Sequence, residues 1–480
     1  MGAEKLGIVA GGSFEAVYVI EEPGSRIEIG DLIVTEEENV SLLLKVTSLR
    51  IGFPADESRG LLDRKSDPTV ALCKPVARIE NGMVVPAKIM PRLGTGARLA
   101  TAKDLEAITS GKNDGIFLGS LRSGSKILEL PLKIDGTDLL SHHILVAATT
   151  GRGKSNLLKT MIWSSISSGG FGMLVLDSHD EYYGRNGSGL KDHPEWGNGN
   201  LYYSTSPQPG GSSLVINLSN VEPDHFFGVM DLTDAQKQAM VLYNRQYGSR
   251  WIENLVLGTE EEQVDNRTVR VLRRKLRLSM GIYGKNGRVI CETNAFSQSA
   301  GTSTINSIIS ALESGKTVIL DTSRIGDEAE LLIGSMVSTE IFARYRNYKG
   351  EGVLERKPPV SVLIEEAPRV LSEEKIQEED NVFASIAREG RKFRIGLIAV
   401  TQIVSVIPKT ILTNLNTKII LGMEMAMERR ILLDSCSNDM SLEDQAVASL
   451  DRGEAVVSSI FTKFGIPIYT PLFTGKGENS

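Results

Sequence analysis

The chain has 480 residues, with 53 Lys and Arg against 60 Asp and Glu for a net charge of −7. Such a length exceeds one ordinary domain and leaves ample material for a large core. The acidic balance excludes a surface that attracts polyanions everywhere, so any nucleic-acid site has to be local.

Three cysteines, Cys73, Cys291 and Cys436, stand far apart without CxxC spacing. That usage argues for reduced thiols in an intracellular protein and against a structural zinc. The start, "MGAEKLGIVAGG", lacks a basic segment leading into an apolar one, and no run of about 18 apolar residues occurs. The expectation is a soluble, cytoplasmic protein with no membrane partner.

Residues 1–100 hold short runs such as "FEAVYVIEE", "VSLLLKVTSL" and "TVALCKPVARIE", separated by Gly, Pro and Asp clusters. Alternation at this spacing predicts a small β-barrel. From about residue 140 the pattern changes to apolar strands alternating with longer helical stretches, the mark of a parallel-type sheet covered on both faces. The predicted strands are "HILVAAT", "GMLVLDS", "TVILDTS", "VSVLIEEA", "IGLIAVTQ" and "KIILGME". The fold class is therefore α/β, with a P-loop core over 101–219 and 313–452. A helical insertion at 220–312 is too long for a loop. A C-terminal β-hairpin with a polar tail occupies 453–480. Within the core, "YYGRNGSGLKDHPEWGNGN" (182–200) reads as a mobile surface loop.

The first core strand runs into "ATTGRGKSN". Phosphate binding needs inward backbone N–H groups, a lysine for the outer phosphates and a hydroxyl for Mg²⁺, all at a helix N-terminus. Gly151, Gly153, Lys154 and Ser155 meet these demands, flanked by Thr150 and Asn156 as further nucleotide-binding positions. Ala148 stands where the strict motif has glycine, a mild departure because its Cβ is small. Arg152, inside the loop, either touches phosphate or points to solvent.

"VSVLIEEAP" ends a buried strand on two carboxylates. Glu365 is placed to orient Mg²⁺ and Glu366 to polarise an attacking water; the bland alternative is helix capping. Gln402, ending "IGLIAVTQ", can sense the γ-phosphate or that water. Arg388 and Arg391 in "SIAREGRKFRI" include a candidate arginine for a neighbouring subunit's site, or else are exposed helix charges. Asp177, His179, Asp180 and Glu181 follow the second strand without the spacing of a transition-metal site, and shape the edge of the ATP site instead.

No [NT]KxD and no LSGGQ occurs, and roughly two hundred residues separate the P-loop from the paired glutamates. A mechanical ATPase fits better than a GTPase, an ABC protein or a small kinase. Together, "ATTGRGKS", "LVLDSHDEY", "VLIEEAP" and "AREGRKFRIGLIAVTQ", with the barrel before them and the hairpin after, resemble the HerA family of the FtsK–HerA superfamily. The resemblance covers nearly the whole chain. It implies a RecA-like ATPase core, an N-terminal HAS barrel, a homo-hexameric ring around double-stranded DNA, ATP and Mg²⁺ as cofactors, and a NurA-like nuclease partner in DNA end resection. By the same resemblance Lys154 and Ser155 bind ATP and Mg²⁺, Glu366 is the catalytic base, Gln402 the sensor and Arg391 the finger in trans, with Arg152 assisting. DNA contacts are expected from Arg185 and Lys191 of the Gly-rich loop, or from the basic helix around Arg273 to Arg277. An ATP-driven protein-remodelling or secretion motor remains the alternative, separable by whether duplex DNA stimulates ATP hydrolysis.

Overall fold

Strand alternation in the first hundred residues closes into a barrel. In the computed structural model, which describes residues 5–37, 40–52, 68–80, 83–109, 115–259, 261, 263–377 and 381–475, the strands Lys5–Gly12, Val17–Glu21, Leu32–Glu37, Val40–Ile51, Thr69–Glu80 and Gly96–Leu99 pair antiparallel around a ring. Val17–Glu21 closes it by pairing with Thr69–Glu80. Inward positions such as Val9, Val17, Val19, Leu44, Val46 and Ala71 form one apolar core. Each removes side-chain area from water that the outward, polar positions leave exposed. The three cysteines are unpaired.

Two compact units interleave along the chain. One comprises residues 1–135, 146–161 and 416–472; the other comprises 136–145, 162–415 and 473–480. In the first unit, Lys45 of the barrel is buried against Glu443 at 2.8 Å and donates to the Gly465 carbonyl, which anchors the barrel to residues near the C-terminus. Breaking such a pair on one side strands a buried charge.

Six apolar runs expected as core strands are strands: Ile144–Ala147, Gly172–Asp177, Thr317–Asp321, Val360–Ile364, Ile395–Thr401 and Thr417–Leu421. In the second unit the order Leu201–Ser204, Thr317–Asp321, Gly172–Asp177, Val360–Ile364, Ile395–Thr401 is parallel throughout. Each of the last four is buried along its whole length, which is why they read as unbroken apolar runs. Leu201–Ser204 was not expected as a strand, because two tyrosines and a serine in four residues give no apolar signature.

Of the six expected core strands, Thr417–Leu421 departs from the parallel type: in the first unit it pairs antiparallel with Glu454–Ser458, and Ile466–Tyr469, Ile116–Ser123 and Lys126–Ile134 continue the antiparallel pairing. Ile116–Ser123 and Lys126–Ile134 are joined by a tight turn, and no crossover helix fits in a turn, so parallel pairing is impossible there. The C-terminal hairpin extends this sheet; the polar tail beyond residue 475 lies outside the described residues.

The insertion is helical: Asp234–Tyr247, Trp251–Leu257 and Asn266–Met280, followed by the hairpin Ile282–Lys285 with Arg288–Cys291. Thr233 caps the first helix in a reciprocal box with Gln236. Gly258 and Gly281 end the other two in left-handed backbone, where a Cβ would be strained. Trp251, fully buried, donates its indole N–H to the Val221 carbonyl at 2.8 Å and fastens the insertion to the second unit.

Two buried histidines make the second unit acid-sensitive. His143 Nδ1 accepts the Leu397 N–H at 3.1 Å and His225 Nδ1 accepts the Glu222 N–H at 2.9 Å, so each ring is neutral with its proton on Nε2. Burial lowers both pKa values from 6.5 to about 4. An imidazole with a depressed folded pKa contributes stability that is whole above the unfolded value and is lost as pH falls from about 6.5 toward 4, up to roughly 3 kcal/mol per site. The melting temperature of the chain is expected to decline across that window, and ring resonances of both histidines should titrate only near its lower end. A flat melting temperature from neutral pH to pH 4 would contradict this.

Candidate active site

The P-loop lies in the first unit. After Ile144–Ala147 the backbone turns through Gly151 at φ 81° and Gly153 at φ 103° into the helix Lys154–Ser168. Both angles favour glycine, and they turn successive N–H groups into the hollow at the helix start, where the dipole attracts anions. Lys154 curls over this hollow and donates to the Ala148 and Thr149 carbonyls at 3.1 and 3.4 Å. Ala148 is fully buried, consistent with its small side chain standing in for glycine. The Ser155 hydroxyl has no hydrogen-bond partner among the described residues and stays partly exposed, available to an incoming ligand.

Two loop residues expected at the phosphates face protein groups. Arg152 pairs with Glu424 at 2.6 Å and donates to the Leu450 carbonyl at 3.1 Å. The Asn156 amide donates to the Pro471 carbonyl at 2.8 Å. Thr149 donates to the Gly422 carbonyl through both its N–H and its hydroxyl. The loop is thus braced by the segments on either side of Glu454–Ser458, a contact that no local pattern signals.

The acidic residues lie in the second unit. Parallel strands end on one edge, so Asp177, Asp321 and the residues after Ile364 and Thr401 gather there through register alone: Asp177 faces Asp321, and Ile364 faces Ala399. Glu365 is buried, and Tyr182 Oη donates to it at 2.7 Å while Ser178 donates at 3.4 Å. Burial raises its pKa, against the lowering effect of the Tyr182 bond. Asp177 accepts the N–H groups of Glu181 and Tyr182 at 2.9 and 3.1 Å, which bends the chain so that Tyr182 reaches Glu365. Burial, with Glu365 and Asp321 adding to it, pushes the Asp177 carboxyl up to about 7. His179 Nε2 stands 3.9 Å from Glu365.

Glu366 is partly exposed and sits at φ 50°, a left-handed conformation that costs a residue with a side chain on the order of 1 kcal/mol. Gln402 Nε2 donates to Glu366 Oε1 at 3.1 Å. These two positions are 36 residues apart in sequence and adjacent in space. Next to them in chain order, Arg388 and Arg391 separate: Arg388 donates to the Ile376 carbonyl at 2.6 Å, whereas Arg391 is exposed and makes no ion pair among the described residues.

The Gly-rich segment 182–200 is not the mobile loop expected. Tyr182, Tyr183, Leu190 and His193 are buried, and Tyr183 stacks on Tyr202 with ring centroids 3.7 Å apart. Arg185 pairs with Asp180 at 2.6 Å and Asp321 at 2.5 Å, and its side chain is only 8% exposed. It cannot grip DNA without abandoning two carboxylates. Lys191 pairs with Asp192 and the Gly187 carbonyl. Composition suggested freedom; tyrosine stacking and the carboxylate pairs removed it. Tyr182 is the residue that sequence reasoning missed, since nothing local reveals which carboxylate a tyrosine will meet.

A family model described as the central domain of the helicase HerA matches residues 116–341, a span that contains the P-loop and ends before the paired glutamates. The chain is 26% identical to the DNA double-strand break repair helicase HerA of Saccharolobus solfataricus, covering 96% of this chain and 91% of that one. It is 24% identical to the protein of the same name from Pyrococcus furiosus, over 95% and 90% of the two chains. Among solved structures, the bacterial conjugative coupling protein TrwB lacking its first 70 residues matches with a TM-score of 0.51 at 13% identity, over 82% of this chain and 97% of that one. That likeness concerns the fold, a P-loop ATPase core of RecA type. With barrel, P-loop, paired glutamates and strand-end glutamine all in place, the chain is similar to the HerA helicases over nearly its whole length.

Proposed function

We propose that the protein is an ATP-driven motor that translocates along or opens double-stranded DNA during repair of DNA ends. The observation that carries the reading is the Glu366–Gln402 pair at the edge of a parallel sheet, in a chain whose relatives are named as repair helicases. A carboxylate held in strained backbone and fixed by an amide is placed to accept a proton from water and to report what happens to it.

Lys154 and the P-loop N–H groups from Thr150 to Asn156 bind the phosphates of ATP. Mg²⁺ would take the Ser155 hydroxyl, which has no hydrogen-bond partner among the described residues, and the Glu365 carboxylate, which Tyr182 and Ser178 orient. Mg²⁺, when bound, neutralises charge on the outer phosphates. Glu366 takes the proton of the attacking water, and Gln402, hydrogen-bonded to it, changes partner as the γ-phosphate leaves. Arg391, exposed and unpaired with any described carboxylate, serves the ATP site of an adjoining subunit in a homo-hexamer. Arg152 leaves Glu424 to assist at the phosphates. A NurA-like nuclease is the partner in resection, and the cytoplasm is the compartment. No helix among the described residues is long and apolar enough to cross a membrane.

The test is ATP turnover by the purified chain with and without blunt duplex DNA, beside a mass measurement of the assembly. Turnover should rise severalfold with duplex, in a particle of six chains. A monomer indifferent to DNA would end this reading, and stimulation by unfolded polypeptide instead would move it to a protein-remodelling motor.

A further inference from the structure

The helix Asn266–Met280 carries Arg267, Arg270, Arg273, Arg274, Lys275 and Arg277 and no acidic residue. Folding sorts these cations into two sets. Arg273 and Lys275 turn inward: Arg273 Nε donates to the Leu255 carbonyl at 2.7 Å, and Lys275 donates to Gln236 Oε1 at 3.1 Å and to the Asp231 carbonyl. These two hold the insertion together.

Arg267, Arg270, Arg274 and Arg277 are exposed, and none forms an ion pair with a carboxylate among the described residues. Arg270 makes only a long contact to the Asn266 carbonyl within its own turn, at 3.4 Å, and Arg277 lies 4.5 Å over the Tyr283 ring. Their spacing of three, four and three residues places them along one side of the helix over about 15 Å. Val271 and Leu278, 43% and 74% exposed, border the same side.

A helix face that merely meets solvent mixes its signs, as Asp327–Gly350 does with Glu340 and Arg344 one turn apart. Here neighbours one turn apart repel one another, an arrangement that destabilises the free helix. A polyanion relieves that repulsion. Arginine rather than lysine at every exposed basic position of the helix adds a planar fork suited to two oxygens of one phosphate. The bordering aliphatic side chains suit the apolar faces of sugars. A duplex running alongside the helix presents about four phosphates of one strand over this length.

We propose that the face formed by Arg267, Arg270, Arg274 and Arg277 grips the phosphate backbone of double-stranded DNA without reading its sequence. The assignment rests on the reading of duplex DNA as the substrate. It places the grip on the helical insertion and excludes Arg273 and Lys275, which an inspection of the basic cluster alone would have included.

The test uses the full chain carrying Arg270→Gln with Arg274→Gln, since glutamine matches arginine in helix propensity. Binding to a labelled blunt duplex is followed through a salt titration. The slope of log affinity against log salt should become shallower by about 2, at about 0.9 per lost phosphate contact, and affinity should fall roughly tenfold or more whatever the DNA sequence. Melting temperature should stay level or rise slightly as the repulsion is relieved, ATP turnover without DNA should stay at the wild-type value, and Arg270→Lys with Arg274→Lys should keep most of the slope. If the wild type binds duplex and the glutamine variant matches it in affinity and slope, the face is not the grip and the proposal is overturned. Loss of binding to an acidic protein alone, with duplex binding intact, overturns it equally. If the wild type binds no duplex at any salt, the DNA reading itself has failed and takes this proposal with it.

Discussion

Glu366→Gln is expected to lower steady-state ATP turnover by about 10²- to 10⁴-fold, the usual contribution of a positioned proton acceptor, while leaving ATP binding intact. The substitution is informative because of the local geometry. Gln402 donates to Glu366 Oε1, and a glutamine side chain at position 366 presents the same accepting oxygen, so the pairing and the φ 50° backbone survive. Only the charge and the basic oxygen are lost. Single-turnover hydrolysis measured beside nucleotide binding checks this outcome. Wild-type turnover in the variant would reduce Glu366 to a helix-capping residue and leave the chain without an identified base.

Arg391→Ala should abolish turnover to a similar or greater degree, about 10³- to 10⁵-fold for an arginine that neutralises transferring phosphate. Arg388→Ala should do much less, because the Arg388 guanidinium is occupied by the Ile376 carbonyl of its own chain at 2.6 Å. The sharper measurement mixes subunits. Lys154→Ala chains lack the lysine proposed to bind phosphate yet keep Arg391; Arg391→Ala chains are the converse. If the arginine acts across a subunit junction, mixed assemblies regain turnover at junctions that combine an intact P-loop with a neighbour's intact arginine. Failure of any mixing ratio to restore activity, in assemblies shown by mass to be mixed, would remove Arg391 from the transition state.

The two experiments probe residues of unequal legibility. The P-loop is local: Gly151 and Gly153 adopt the positive φ that their lack of a side chain permits, and the helix begins at Lys154 where the motif requires. Arg388 and Arg391, three apart, were indistinguishable in sequence; both are exposed, and only the fold engages Arg388 with the Ile376 carbonyl while Arg391 makes no ion pair among the described residues. The same holds for Arg273 against Arg274, adjacent residues with opposite fates.

What the amino-acid sequence determined by itself was everything carried by short-range periodicity and backbone preference: the barrel, the apolar core strands, the helical insertion and the phosphate loop. These follow from alternating burial and from the φ angles that glycine alone adopts freely. The tertiary structure alone decided the antiparallel pairing of the first unit, the bracing of the P-loop by Glu424 and Leu450, the Tyr182 bond to Glu365 and the burial of a segment whose composition looked mobile. Each of these joins groups far apart in the chain, and the free energy of such a contact depends on which partner the fold delivers, information that no window of neighbouring residues contains.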